Sequence, residues 1–184
     1  MQNKLESAYL DEVRRSLRGH KRLAEGAVAQ VTDDQLFQQL DLEANSIAVI
    51  MKHISGNQRS RFTDFLTTDG EKPTRHRDTE FEMPARPSRE ELMRMWEDGW
   101  KILFDTLESL RPEDFSRKVT IRGEPHTIVQ ALNRANSHYA YHVGQIVLLA
   151  KHLRGAEWKS LSIPRGQSTE YEKKALGKLG APEK

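Results

Sequence analysis

At 184 residues the chain has the length of one ordinary domain and can enclose a core without staples. It has no cysteine, which excludes disulfides, thiolate metal sites and a cysteine nucleophile, so any metal must take nitrogen or oxygen ligands. Its 29 basic and 27 acidic residues nearly cancel, and no basic run is interleaved with stacking rings, which argues against nucleic acid and anionic membrane as partners.

The first residues, MQNKLESAYLDEVRRS, are too polar for a secretory core, and no run approaches the ~18 apolar residues of a spanning helix. A cytoplasmic protein is expected. Leu5, Tyr9, Val13, Leu17, Ala24 and Ala27 then form one apolar stripe, predicting a first helix over about 3–28. Thr32 and Asp33 offer caps for a short turn or helix through DQLFQQL, and Asn45 or Ser46 caps a second long helix carrying Ile47, Ile50, Met51, Ile54, Phe62 and Phe65. Gly56 interrupts that helix at a cost of about 1 kcal/mol against alanine.

Between Thr67 and Pro87 the periodicity vanishes in a long charged loop, and loops of that length inside a domain are usually functional or disordered. Ser88 with Glu91 forms a capping box, the clearest helix start in the chain, opening a third helix on which Leu92, Met95, Trp96, Gly99, Leu103, Thr106, Leu107 and Leu110 recur at heptad-like spacing, with Trp96, Trp100 and the leucines read as core or interface. Val119 to Ile121, followed by Arg122-Gly123 and Pro125, suggests a short extended excursion or hairpin. A fourth long helix opens near Thr127 and ends at Gly155. The expected fold is therefore all-α, a four-helix bundle over 1–165 with a long charged loop between helices two and three, and 166–184 a weak helix or mobile tail.

Of seven histidines, only His138 and His142 have helical ligand spacing. Residues four apart lie about 6 Å along a helix axis and about 40° around it, so two imidazoles can converge on one ion. Both flank the apolar stripe of the fourth helix, as His53 flanks that of the second, and two such flanks meeting make a cleft at the edge of a bundle core. Spacing alone leaves open that all three are hydrogen-bonded boundary residues. His20 reads as boundary packing on helix one, and His76, His126 and His152 as loop or surface positions.

The second helix, bearing M-K-H-I-S-G-N, and the fourth, bearing S-H-Y-A-Y-H-V-G-Q-I, resemble the DinB-like superfamily of four-helix metal-binding bundles over roughly 3–165, most closely an uncharacterised subfamily. The resemblance implies His53, His138 and His142 as metal ligands, and pairing as a homodimer. It also implies kinship with mycothiol-dependent isomerases, bacillithiol S-transferases and metal-dependent hydrolases. The charged insert at 63–81 departs from those enzymes, so no substrate transfers.

Three neutral imidazoles would leave a divalent ion its full charge; zinc and nickel head the candidates, and metal-bound water or a low-molecular-weight thiol cosubstrate would be the attacking group. Each ligating ring needs its other nitrogen held, for which Asn57, Gln145, Tyr139 and Tyr141 are local candidates, though Asn57 and Gln145 read equally as plain helix-face residues. In the loop, Arg75 and Arg77 could clamp a carboxylate or phosphate of a small-molecule substrate, or lie on a solvated surface. Arg59 and Arg61, below His53 on the second helix, could likewise meet a ligand or form salt bridges across the bundle, the latter favoured for Arg59. The functional expectation is a metal-dependent thiol S-transferase or hydrolase. A non-catalytic, stress-related binding bundle and a purely structural helical dimer stand as alternatives.

Overall fold

The computed structural model describes residues 2–179, which are mostly helical with one two-stranded sheet. Helix α1 (Gln2–Val28) buries Leu10, Val13, Leu17, Ala24 and Ala27. Leu5, read as the first member of that stripe, is instead 74% exposed, and Leu10 takes its place in the core. Thr32 and Gln35 cap α2 (Asp33–Phe37) reciprocally, each side chain satisfying the other's backbone N–H.

Of the two residues offered as a cap, Ser46 performs the role for α3 (Ile47–Phe62), accepting from the Val49 N–H at 3.2 Å. The helix stops three residues short of Phe65 because Thr63 is extended and Asp64 takes a φ of 50°. Phe65 still stacks on Phe62 at 5.4 Å. The Ser88–Glu91 capping box opens α4 (Arg89–Ser109), as its sequence dictates, and Trp96, Trp100, Leu103 and Leu107 are fully buried along it.

The excursion after α4 is a hairpin of β1 (Lys118–Ile121) and β2 (Glu124–Thr127), pairing Lys118 with Thr127 and Ile121 with Glu124. Its turn places Arg122 at φ 55° and Gly123 at φ 77°, the left-handed pair that a two-residue hairpin turn demands. Thr127 both ends β2 and caps α5 (Ile128–Arg154), which closes at Gly155 with φ 54°. A last helix, α6, spans Ser168–Leu179, while 180–184 of the expected tail lie outside the described residues.

The four long helices are mutual neighbours: α3 packs on α4 and α5, and α1 packs on α5 and α4. Their shared core holds Trp96, Trp100, Tyr139, Leu17, Met51 and Ile54. No helix among the described residues is long and apolar enough to cross a membrane.

The loop after α3 is tied down at both ends. Ser60 Oγ donates to the Gly70 carbonyl at 2.7 Å, the Gly70 N–H donates to the Thr120 carbonyl at 2.8 Å, and Asp69 accepts from the backbone N–H groups of Arg122 and Gly123. Further along, Lys52 Nζ donates to the carbonyls of Thr79 and Glu82, at 2.6 and 2.7 Å. These two bonds clamp a 3-10 turn, Arg77–Phe81, onto the face of α3 that carries the histidine.

Close helix contact at α3 and α4 depends on Gly99, where a Cβ would fall 2.5 Å from Gln58 Oε1 and 2.9 Å from the Ser55 Cα. Gly99→Ala should therefore destabilise the protein by about 1–3 kcal/mol through overpacking, despite a helix-propensity gain of up to about 1 kcal/mol. Gly144 lies in α5 with nothing within 4 Å of its Cβ position, so Gly144→Ala should gain about 0.5–1 kcal/mol. Urea unfolding of both variants checks the pair; equal shifts would contradict the packing described.

Candidate metal centre

His53 sits in the middle of α3 and is 3% exposed; His138 and His142, one turn apart on α5, face it. The ring centroids are 5.2, 4.9 and 4.8 Å apart for the pairs 53–138, 53–142 and 138–142. One nitrogen from each ring lies within 4.8 Å of the others, and the Nε2 atoms of His53 and His138 are 3.1 Å apart. Nitrogens bound tetrahedrally to one ion at about 2.0–2.1 Å sit roughly 3.4 Å from each other, so small side-chain shifts suffice for these three to share an ion. The three histidines can hold a metal ion. No Asp, Glu, Cys or further His among the described residues joins the group.

The remaining ring nitrogens decide which lone pairs are free. His53 Nδ1 lies 2.8 Å from Glu80 Oε2, and a carboxylate can only accept, so this nitrogen carries the proton and Nε2 presents its lone pair inward. His142 Nδ1 donates in the same way to Gln145 Oε1 at 2.7 Å. Holding the outer nitrogen protonated fixes both the tautomer and the aim of each ring.

Glu80 is itself gripped by Arg75, whose Nε and Nη2 donate to its two oxygens at 2.8 and 2.9 Å. Arg75 also leans on Glu71, and its side chain is only 5% exposed. Its fork is thus occupied by these carboxylates: Arg75, read as a substrate clamp, is the residue that orients Glu80. Arg77 lies over the Phe81 ring at 4.9 Å and is half exposed, while Phe81 packs on His53 at 4.6 Å.

The other three anticipated ring partners, Asn57, Tyr139 and Tyr141, act differently. Asn57 accepts from the buried Tyr139 hydroxyl at 2.9 Å, a bond between α3 and α5 that reaches no histidine. Tyr141 makes no hydrogen bond to them; its ring lies 4.3 Å from that of His142 and, half exposed, walls the mouth of the site. On α3, Arg61 rather than Arg59 bridges, to Glu71 at 2.9 Å, whereas Arg59 is exposed. His20 shares a hydrogen bond with Asn136 at 3.1 Å on the far side of α5, and His76 and His152 are exposed.

Comparison with known sequences matches the family described as "Protein of unknown function (DUF1572)" over residues 4–167. The chain belongs to the DUF1572 family. No curated protein and no solved structure matches it.

What sequence reasoning missed in this DUF1572 chain is the Arg75–Glu80–His53 relay, because its acid and its arginine come from a loop without periodicity. One signal was present. A Cβ at Gly56 would fall 2.5 Å from Glu80 Oε1, so the glycine inside α3, three residues after His53, marks where the loop's carboxylate comes down.

Burial shapes the electrostatics. It opposes the charge on Glu80, yet the hydrogen bonds from His53 and Arg75 hold that carboxyl below the usual glutamate range. Burial pushes His138 down to about 3, reinforced by His142, His53, Arg75 and Arg61, and it lowers His142 as well. These rings stay neutral, the form in which imidazole binds a metal.

The same shift bears on stability. The folded protein refuses at His138 a proton that the unfolded chain accepts near pH 6.5, so the metal-free protein should lose stability as pH falls from about 7 towards 3. Urea midpoints of wild type and His138→Gln, measured between pH 7.5 and 4.5, should shift against the wild type as pH falls. Parallel curves would contradict a buried neutral ring.

Proposed function

We propose that this protein is a DinB-like four-helix bundle that holds one divalent transition-metal ion, zinc or nickel, on the Nε2 atoms of His53, His138 and His142 and uses it on a small molecule. The DUF1572 match over 4–167 spans nearly the stretch over which the sequence resembles that superfamily. The observation that carries the reading is the open side of the histidine group. No fourth histidine, cysteine, aspartate or glutamate joins it among the described residues, and all three rings line a cavity of about 530 Å³. A structural site would close its coordination sphere with protein; a site that handles substrate keeps a position free.

A divalent ion bound there would supply a Lewis acid that lowers the pKa of water or thiol and polarises an acceptor group. Around it the chain's own residues have separate tasks. Glu80 holds the His53 Nδ1 proton and leaves Nε2 basic, Arg75 keeps Glu80 ionised and aimed, and Gln145 does for His142 what Glu80 does for His53. Phe81 and Tyr141 flank the rings and limit the approach of water.

The cysteine-free chain offers no thiolate of its own, so the attacking group is water or a borrowed low-molecular-weight thiol, giving hydrolase or thiol S-transferase chemistry. A homodimer, the assembly the resemblance implies, belongs to the same proposal.

Elemental analysis of purified protein should find one equivalent of divalent metal, and His138→Ala should lose it while its far-ultraviolet circular dichroism stays that of the wild type. Glu80→Gln, which cannot accept with a full charge, should weaken metal binding by roughly 10–100-fold. A full equivalent of metal in His138→Ala would overturn the assignment. Activity on a panel of thiol-acceptor and ester or amide substrates should vanish with chelator and return with metal; chelator-insensitive turnover would refute metal dependence.

A further inference from the structure

The cavity that opens from the histidines is lined by Arg61, Arg75, Arg77, Arg122 and Arg134, and by no aspartate or glutamate among the described residues. Its walls between them are apolar, with Phe62, Phe65, Phe81 and Ile121 among them. Sequence spacing explains the layout. On α3, Arg61 follows His53 by eight residues, about 12 Å along the axis, and Asn57 lies between them on the same face. On α5, Arg134 precedes His138 by four residues and shares its face. The cavity thus runs from the metal-binding rings towards the hairpin, whose Arg122 and Ile121 end it.

These guanidiniums are not neutralised from within. Glu71 alone serves three of them, Arg61, Arg75 and Arg122, and Glu80 serves Arg75 together with His53. Arg77 lies over the Phe81 ring, and the one carboxylate it meets among the described residues is that of Asp78, at 3.7 Å, a side chain 96% exposed. Arg134 makes no ion pair among the described residues. Arg61 is 9% exposed and its Nη1 is buried without a hydrogen-bond partner. Arg14 Nε and Arg154 Nε are buried without a partner too, but of these three arginines Arg61 alone lines the cavity, where a bound anion would supply the acceptor.

We propose that this cavity takes a small-molecule oxyanion, a carboxylate or phosphate on an apolar body, with Arg61 and Arg134 gripping the charged end and Arg77 and Arg122 beside them. The inference deepens the functional reading above, and it rests on that reading only in placing the reacting end of the molecule at the histidines. Guanidinium forks match the planar or tetrahedral oxygens of such groups in geometry as well as charge. The apolar walls would hold the body of the ligand, and the surplus positive charge would disfavour cationic molecules.

Calorimetric titration of metal-stripped and zinc-loaded protein with inorganic phosphate, succinate and uncharged succinamide, at fixed ionic strength, tests the proposal. Phosphate or succinate should bind the metal-stripped wild type, the better of the two naming the oxyanion, and succinamide should not. Arg134→Gln, at an exposed position in no ion pair, should weaken that binding at least tenfold, Arg134→Lys should recover part of it, and Arg77→Gln added to Arg134→Gln should abolish it.

Equal binding of succinamide, unchanged binding in Arg134→Gln, or no anion binding to either form would overturn the proposal. Anion binding that appears only with zinc and ignores Arg134 would overturn it too, while leaving the metal site standing. Arginine-dependent binding in a protein that takes up no metal would sustain it and sink the metal site instead.

Discussion

The hydrogen bond between His53 and Glu80 couples the helical half of this site to its loop half. On one side of it lies the helical core, where α3 and α5 bring three imidazoles together and burial keeps His138 and His142 neutral. On the other lies the long loop, which reaches the site because Lys52 clamps its 3-10 turn and Ser60 and Asp69 pin its start to α3 and the hairpin. Without Glu80 the His53 proton would be free to occupy either nitrogen, and a ring that turns its N–H inward cannot bind an ion. Arg75 completes the chain of orientation by fixing Glu80 through a two-pronged contact.

That arrangement also explains a charged loop of about twenty residues. A carboxylate brought down onto a helix needs room and needs its charge answered: Gly56 supplies the room and Arg75 the charge. Glu71, from the same loop, holds Arg61, Arg75 and Arg122 in one neighbourhood without neutralising them. The loop therefore orients the His53 ring at one end of the cavity and gathers positive charge towards the other. Both effects come from residues that a helix-face reading assigns to solvent.

The helices were legible because their signals are local. Ser88 with Glu91, Thr127, and Gly155 past the end of α5 each act within one turn, and the structure uses all of them. The His138–His142 pair was legible for the same reason, since a spacing of four fixes a shared face. That His53 meets the pair came from the resemblance, because periodicity places it on a flank without saying which flank it faces. Glu80 and Arg75 were not legible in their roles, as no repeat connects residue 80 to residue 53 and only the glycine at 56 hinted at the approach. Asn57 misled because it lies one turn from His53, yet the buried Tyr139 hydroxyl needed an acceptor and took it. Leu5 misled because a stripe can outrun the surface it packs against.

The convergence of three imidazoles on one ion is the claim from which the rest follows. X-ray absorption at the metal edge of the zinc-loaded protein reads it directly. The account predicts three imidazole nitrogens at about 2.0–2.1 Å with at least one further light-atom neighbour from solvent, and loss of imidazole scattering in His53→Ala. A spectrum fitted by oxygen neighbours with one imidazole or none, unchanged by that substitution, would contradict it.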